Sequence, residues 1–287
     1  MAGKTNTRQK MINMMYLVFI AMLALNIGKE VLATIGVINE DLENSTLQFK
    51  SNSEGIYNKF ENLGLSQPAW AEALPTINKL KNYSDEYSQY LQSIQDFLLE
   101  TDKENTKYQR TVKNKTDKSK PDEMMINYQI MDASQALDEK FFDGDQYTDD
   151  GKAYLENFKD FQSNLLVVID SLKTLDIFQD YTIGFDLDKT ELQKRFEFDS
   201  LKLNSEGKDL PYLDYEFKGF PLIASLSKIT KTHNNLRYIE NKILNTALGN
   251  IRVGGGGGGI DGLVPTLSQD KQYYTSQNFG GKIILAQ

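Results

Sequence analysis

The chain has 287 residues, 40% of them hydrophobic and 25% charged, with a formal net charge of −8, a single histidine and no cysteine. That composition supports a folded core and argues against wholesale disorder. The acidic balance argues against nucleic-acid binding, which needs clustered Lys and Arg. The missing cysteines exclude disulfides, thiolate catalysis and cysteine metal sites.

The first element is the apolar run Met11 to Ile27, within RQKMINMMYLVFIAMLALNIGKEVL. As a helix it spans roughly 26 Å, slightly less than the roughly 30 Å hydrocarbon core of a bilayer. Gln9 and Gly28 can extend it. An export signal has a shorter apolar stretch followed by a small-x-small cleavage site. Here Ala21 and Ala24 are too far apart for that motif, and the run passes unbroken into NIGKEVLATIGVINEDL. An uncleaved transmembrane anchor is therefore favoured over a cleaved signal. Lys4, Arg8 and Lys10 precede the run, whereas after it Lys29 stands beside Glu30, and Glu40, Asp41 and Glu43 follow. This bias predicts a cytoplasmic N-terminus with the bulk of the chain on the other side.

On a helical projection Gln9, Asn13 and Tyr16 share one side, and Arg8 and Asn26 another. Ala21, Ala24 and Gly28 make a small-residue face that a second helix can approach closely. Polar groups in lipid tend to face protein or water. Taken alone, the pattern favours a lone anchor with interfacial Tyr and Asn and topogenic Arg and Lys.

Beyond the anchor, Ile35, Leu42, Phe49, Ile56 and Leu63 recur in a heptad, with Val31, Ile38 and Phe60 beside them. The anchor helix is thus predicted to continue as a long stalk that ends near Gly64 and Pro68. A second helix starts near Pro68 and carries the stripe Leu80, Tyr83, Tyr87, Tyr90, Ile94 and Phe97. Thr101 to Pro121 is polar and basic and is expected to be a solvated loop. A third helix is predicted over Asp122 to Phe142.

FFDGDQYTDDGK fits a turn and helix cap, because Thr148 and Asp150 stand where a calcium loop needs glycine. A fourth helix holds Tyr154, Phe158, Phe161, Leu165, Ile169, Leu172 and Leu175 in register. Asp176 to Phe220 is less regular, and Asp188-x-x-Glu191 reads as the cap of a short helix. The last helix opens near Pro221 and closes at Gly249. His233 falls in its apolar stripe, after Leu222, Leu226 and Ile229 and before Leu236, and reads as a half-buried helix–helix contact.

The predicted fold class is mainly α, a single N-terminal transmembrane helix running into an up-and-down helical bundle. Residues 1–30 form the N-terminus and anchor, and residues 31–250 the bundle. Residues 251–265 form a glycine-rich linker, and residues 266–287 begin a β-rich domain that the chain does not complete.

The opening segment resembles the N-terminus of the GldM family, called PorM in some species, of Bacteroidetes gliding motility and type IX secretion. FKGFPLIASLSKITKTHNNLRYIENKIL resembles the last helix of that family's first periplasmic domain, and YYTSQNFGGKIILAQ the start of its next, β-rich domain. The resemblance follows the order of features from residue 1 to 287. The head MAGKTNTRQ lacks the proline often found before the family's arginine.

The resemblance implies a homodimer in the bacterial inner membrane with its bulk in the periplasm. Its paired transmembrane helices would sit in a ring of GldL- or PorL-like subunits. Proton-motive force would drive this motor, and the shaft would carry energy to outer-membrane or periplasmic secretion components through further C-terminal domains. Arg8 matches the family arginine that faces a membrane-buried glutamate of the ring. Tyr16 matches a family tyrosine of the same helix, and Asn13 is a weaker candidate. No cofactor or metal is implied.

Two other classes compete. A periplasmic helical sensor or binding module would also be membrane-anchored, but chemoreceptors usually have a second transmembrane helix, and NLLVVI is too short for one. A secreted helical binder would require cleavage. An enzyme is not expected, because no nucleophile, base and orienting group assemble from the motifs.

Overall fold

The computed structural model describes residues 7–100, 108–112, 123–133, 135–198 and 201–254. The chain divides into two compact units, Met1–Asn250 and Ile251–Gln287. The first is a mainly helical bundle, as the sequence predicts. Residues 255–287, which include most of the expected linker and the whole expected β-segment, lie outside the described residues.

Helix α1 runs without interruption from Thr7 to Ser66, 60 residues, or about 90 Å at the α-helical rise. It ends against Pro68, where the short α2 (Pro68–Ala71) turns the chain into α3 (Leu74–Leu99). Trp70 of α2 fills this corner, with its ring centroid 5.8 Å from Phe60 and 5.6 Å from Phe178. The predicted heptad is only half of the buried seam of α1. Ile56 is buried and Ile35, Leu42, Phe49 and Leu63 are half-buried, but the fully buried companions are Asn39, Thr46, Ser53 and Phe60. Three of those four are polar, which hid the seam from a hydrophobicity reading.

The α3 stripe is likewise shifted. Ile77, Leu80, Tyr87, Leu91, Ile94 and Leu98 are buried, while Tyr83 and Tyr90 are half-buried and Phe97 is exposed.

Two predicted segments fold differently. The expected basic loop includes strand β1 (Gln109–Val112), paired antiparallel with β2 (Glu123–Ile126). The expected third helix is β2, a 3-10 turn (Tyr128–Ile130) and the short α4 (Gln135–Phe141). Met131 and Ala133, which follow that turn, cap the last helix. Leu222 N–H donates to the Ala133 carbonyl at 2.7 Å and Ile223 N–H to the Met131 carbonyl at 3.3 Å. These satisfy amides that a helix start leaves without intrahelical partners, and a continuous helix over 122–142 would withhold those carbonyls.

The turn and cap in FFDGDQYTDDGK form as predicted. Strands β3 (Phe142–Asp143) and β4 (Gln146–Tyr147) close around Gly144 at φ 63°, and Thr148 accepts a hydrogen bond from Gly151 N–H to start α5 (Asp149–Lys173). Asp149 and Asp150 in the first turn of α5 and Lys173 in its last complement the helix dipole. Helix α5 packs on α3, with Tyr87 and Phe161 stacked at 4.6 Å.

A 3-10 turn leads into α6 (Thr182–Arg195). Asp188 lies inside α6 rather than capping it, buried and 3.7 Å from Lys242. Glu191 pairs instead with Arg195 at 2.6 Å. Strands β5 (Leu201–Leu203) and β6 (Asp209–Pro211) form a small hairpin before α7 (Tyr212–Phe217).

Helix α8 (Leu222–Gly254) starts at Pro221 as predicted but continues past Gly249, so residues 251–254 are helical rather than linker. It is the axis of the bundle. Side chains of α1, α3 and α6 all touch it, and its buried residues, from Leu222, Leu226 and Ile229 to Ile243 and Ala247, share one broad face, with Lys231, Asn245 and Gly249 exposed on the other.

Candidate functional site

Arg8, Asn13, Tyr16, Ala21 and Gly28 all lie on the exposed N-terminal part of α1. Gln9 donates to the Asn13 side chain at 3.2 Å, one turn on, so two of the expected polar groups satisfy each other along the helix. Tyr16 is 66% exposed. No atom lies near the position a Gly28 Cβ would take. The Ala24 and Asn26 side chains fall among residues 23–27, whose side chains lie outside the described ones.

The apolar residues between Met11 and Met22 are uncovered round the whole circumference, from 42% exposure at Val18 to 72% at Met15. An apolar band of this extent marks a surface that something else covers. Among the described residues no helix is long and apolar enough to cross a membrane.

The same helix enters the bundle through a polar seam that the sequence reading missed. Asn234 of α8 donates to Thr46 Oγ1 at 3.2 Å and to the Leu42 carbonyl at 3.3 Å. Seven residues further along both helices, Asn241 donates to Ser53 Oγ at 3.3 Å. Between these ties the Phe49 and Tyr238 rings meet edge to face at 5.5 Å. The seam ends in a charged knot. Tyr57 donates its hydroxyl to Glu240 at 2.8 Å, Arg237 pairs with Glu240 at 2.8 Å, and its other terminal nitrogen reaches Asp85 of α3 at 2.9 Å. The Arg237–Glu240 pair of α8 thereby ties α3, through Asp85, to α1, through Tyr57.

The electrostatics of the knot follow from its burial. Burial raises the Glu240 pKa, and Arg237 and Tyr57 offset only part of that. Burial alone would lower the Arg237 pKa, but Glu240 and Asp85 outweigh it and hold the guanidinium charged. The Tyr57 hydroxyl is driven well up by burial and then by Glu240, so it stays a donor.

His233 stands one turn away, where its Nε2 shares a 2.7 Å hydrogen bond with Ser88 of α3. It is the half-buried helix–helix contact the sequence predicts. Burial, then Arg237 and Lys50, lower its pKa to about 4, so it is neutral at pH 7. Beside the knot, α1, α3 and α8 enclose an open-sided cavity of about 610 Å³.

One sequence signal could have found the seam. Thr230, Asn234, Arg237, Asn241 and Asn245 recur at helical spacing between the apolar residues of α8, a polar line on a helix that otherwise reads as core.

These features define a class: an α-helical bundle mounted on one continuous helix whose far end carries an uncovered apolar band. The model of the GldM N-terminal domain matches residues 30–250. The chain therefore belongs to the GldM family, and by family it is a component of the gliding and type IX secretion machinery. No curated protein matches the chain.

Proposed function

We propose that the chain is a non-enzymatic, ion-driven motor subunit whose long helix carries force from the membrane into the periplasm. The apolar end of α1 crosses the bacterial inner membrane once, with the N-terminus cytoplasmic and the bundle periplasmic. Two copies pair, and their membrane helices sit in a ring of GldL-like subunits. Arg8 faces a ring glutamate; a cation there favours the ionised carboxylate, and protonation of the carboxylate abolishes the attraction and releases that position. Tyr16 and Asn13 offer hydrogen bonds to the ring, while Ala21, Ala24 and Gly28 let a neighbouring helix approach.

The observation that supports this reading most is the continuity of α1. One helix of 60 residues carries both the uncovered apolar band and the polar seam that locks it to α8. Hydrogen-bonded polar pairs within a helix interface fix register, which a lever or rotor requires and a simple tether does not.

The test is Arg8→Ala in cells holding normal levels of the protein and its ring. Loss of gliding and secretion with the bundle folded is expected; intact motility would overturn the reading. A membrane-anchored binding module is the second reading, favoured by the polar cavity beside α8.

A further inference from the structure

We propose that residues 128–133 are a strap through which α1 drives α8, with Tyr128 as the grip on α1. This assignment rests on the reading of α1 as a force-carrying shaft and names the place where its load enters the bundle.

The grip is close to the backbone. A Cβ at Gly36 would stand 2.2 Å from the Tyr128 ring, so the ring lies directly on the α1 backbone, an approach that glycine permits. Tyr128 is 6% exposed, and Met131, three residues on, is fully buried. Burial, then the Glu40 and Glu43 carboxylates, raise the Tyr128 pKa, so its hydroxyl stays a protonated donor beside two acceptors of α1. Asn39 donates to Glu43 at 2.8 Å and steadies one of them.

The other end of the strap is fixed to α8 through main chain. The Ala133 and Met131 carbonyls accept from Leu222 N–H at 2.7 Å and Ile223 N–H at 3.3 Å. Asp138 of α4 accepts from Gly219 N–H at 3.0 Å, so the approach to α8 is held as well.

Position gives the strap its role. The Asn234–Thr46 and Asn241–Ser53 ties both join residues 188 apart in the chain, so α1 and α8 run in the same direction in one register. The same offset sets Gly36 opposite Ala224, in the first turn of α8. The strap therefore crosses between the two helices at the level where α8 begins. On the side of the apolar band, Gly28 of α1 has open space around it. On the other side, the ties of α1 to α8 at Thr46 and Ser53 are side-chain hydrogen bonds of 3.2 and 3.3 Å. A load that arrives along α1 meets Tyr128 before it meets those ties.

Hydrogen exchange of the full-length chain in detergent micelles tests the grip. Tyr128→Ala should speed exchange over residues 30–46 at least about tenfold, a local opening, and leave α5 unchanged. Tyr128→Phe keeps the ring on Gly36 and should stay near wild type. In cells with normal protein levels, Tyr128→Ala should stop gliding and secretion. The chain has no cysteine, so the Gly36→Cys/Tyr128→Cys pair can be bridged selectively. Its Cβ positions, 2.8 Å apart, need to part by about 1 Å to reach disulfide range. The oxidised pair should restore motility and a reductant should remove it, a reversal that a purely structural role does not give. Unchanged exchange in Tyr128→Ala would overturn the strap. So would wild-type gliding in Tyr128→Ala, or a formed bridge that restores nothing. If Arg8→Ala stops the motor and Tyr128→Ala does not, the strap fails and the motor reading stands. If Arg8→Ala glides normally, the motor reading fails and the exchange result alone decides the grip.

Discussion

Tyr57 of α1 and Glu240 of α8 are both buried and meet at 2.8 Å, 183 residues apart in the chain. Glu240 also receives Arg237, so two donors stabilise one buried carboxylate. Tyr57→Phe removes one of them without opening a cavity and should cost about 1–3 kcal/mol. Glu240→Leu strands the Arg237 guanidinium and should cost about 3–5 kcal/mol. Pairing Glu240→Leu with Arg237→Met should recover much of that loss, since Asp85, 40% exposed, can hydrate. Urea denaturation of the four proteins checks the order; a double variant less stable than Glu240→Leu would show that the knot is not a coupled unit.

His233 makes stability depend on pH in a stated direction. Its pKa in the folded chain is about 4 against an ordinary 6.5, because of burial, then Arg237 and Lys50. The unfolded chain therefore binds a proton below pH 6.5 that the folded chain refuses until about pH 4. Stability from this group is complete above pH 6.5, falls as the pH drops from 6.5 to about 4, and levels off below. Glu240 and Asp188, whose pKa values burial raises, act in the opposite sense. The difference between wild type and His233→Gln isolates the histidine. That difference should narrow by up to a few kcal/mol across this window. A pH-independent difference would show that His233 titrates normally.

The elements that announced themselves in the sequence are those stabilised by repeated apolar contacts. The stalk helix, α5 and α8 bury Phe, Leu and Ile at helical spacing and are punctuated by Pro68, Thr148 and Pro221, so local pattern and tertiary packing agree. The segment over 122–142 was misread because its fate depends on distant partners. The carbonyls of Met131 and Ala133 are claimed by α8, and Tyr128 is claimed by a glycine of α1. Asp188 failed as a cap for a similar reason, since Lys242 and the α8 surface hold it inside a helix. The polar seam was missed, although the polar line on α8 from Thr230 to Asn245 marked one side of it. Thr46 and Ser53 become informative only once Asn234 and Asn241 are seen beside them.

Gly36 and Gly55 lie on the same helix and should respond oppositely to alanine. A Cβ at Gly36 would stand 2.2 Å from Tyr128 Cγ and Cδ2, whereas Gly55 has open space around it. In an open helical position Gly→Ala stabilises by about 0.5–1 kcal/mol. Gly55→Ala should show that gain. Gly36→Ala should instead cost about 1–3 kcal/mol, the usual penalty for overpacking, as Tyr128 is driven from its seat on α1. Thermal melts of the two variants decide it; a stabilised Gly36→Ala would mean that the 3-10 turn yields without resistance.

The stretch of α1 between its apolar band and the bundle should have to be stiff. Around Gly28 and Lys29 the helix is exposed, and among the described residues nothing but helical continuity joins the two ends there. Three glycines inserted after Lys29 would replace a stiff connection with a flexible one. The bundle should fold with an unchanged melting temperature, because its core lies beyond the insertion, yet gliding and secretion should stop. A seven-residue insertion of alanine, glutamate and lysine keeps the helix and displaces its faces by only about 20°. It should retain most of the function. A two-residue helical insertion turns one end by roughly 200° against the other and should fall between the two if rotational register matters. If the glycine insertion glides and secretes as wild type does, α1 is a tether rather than a shaft, and force must reach the bundle by some other path.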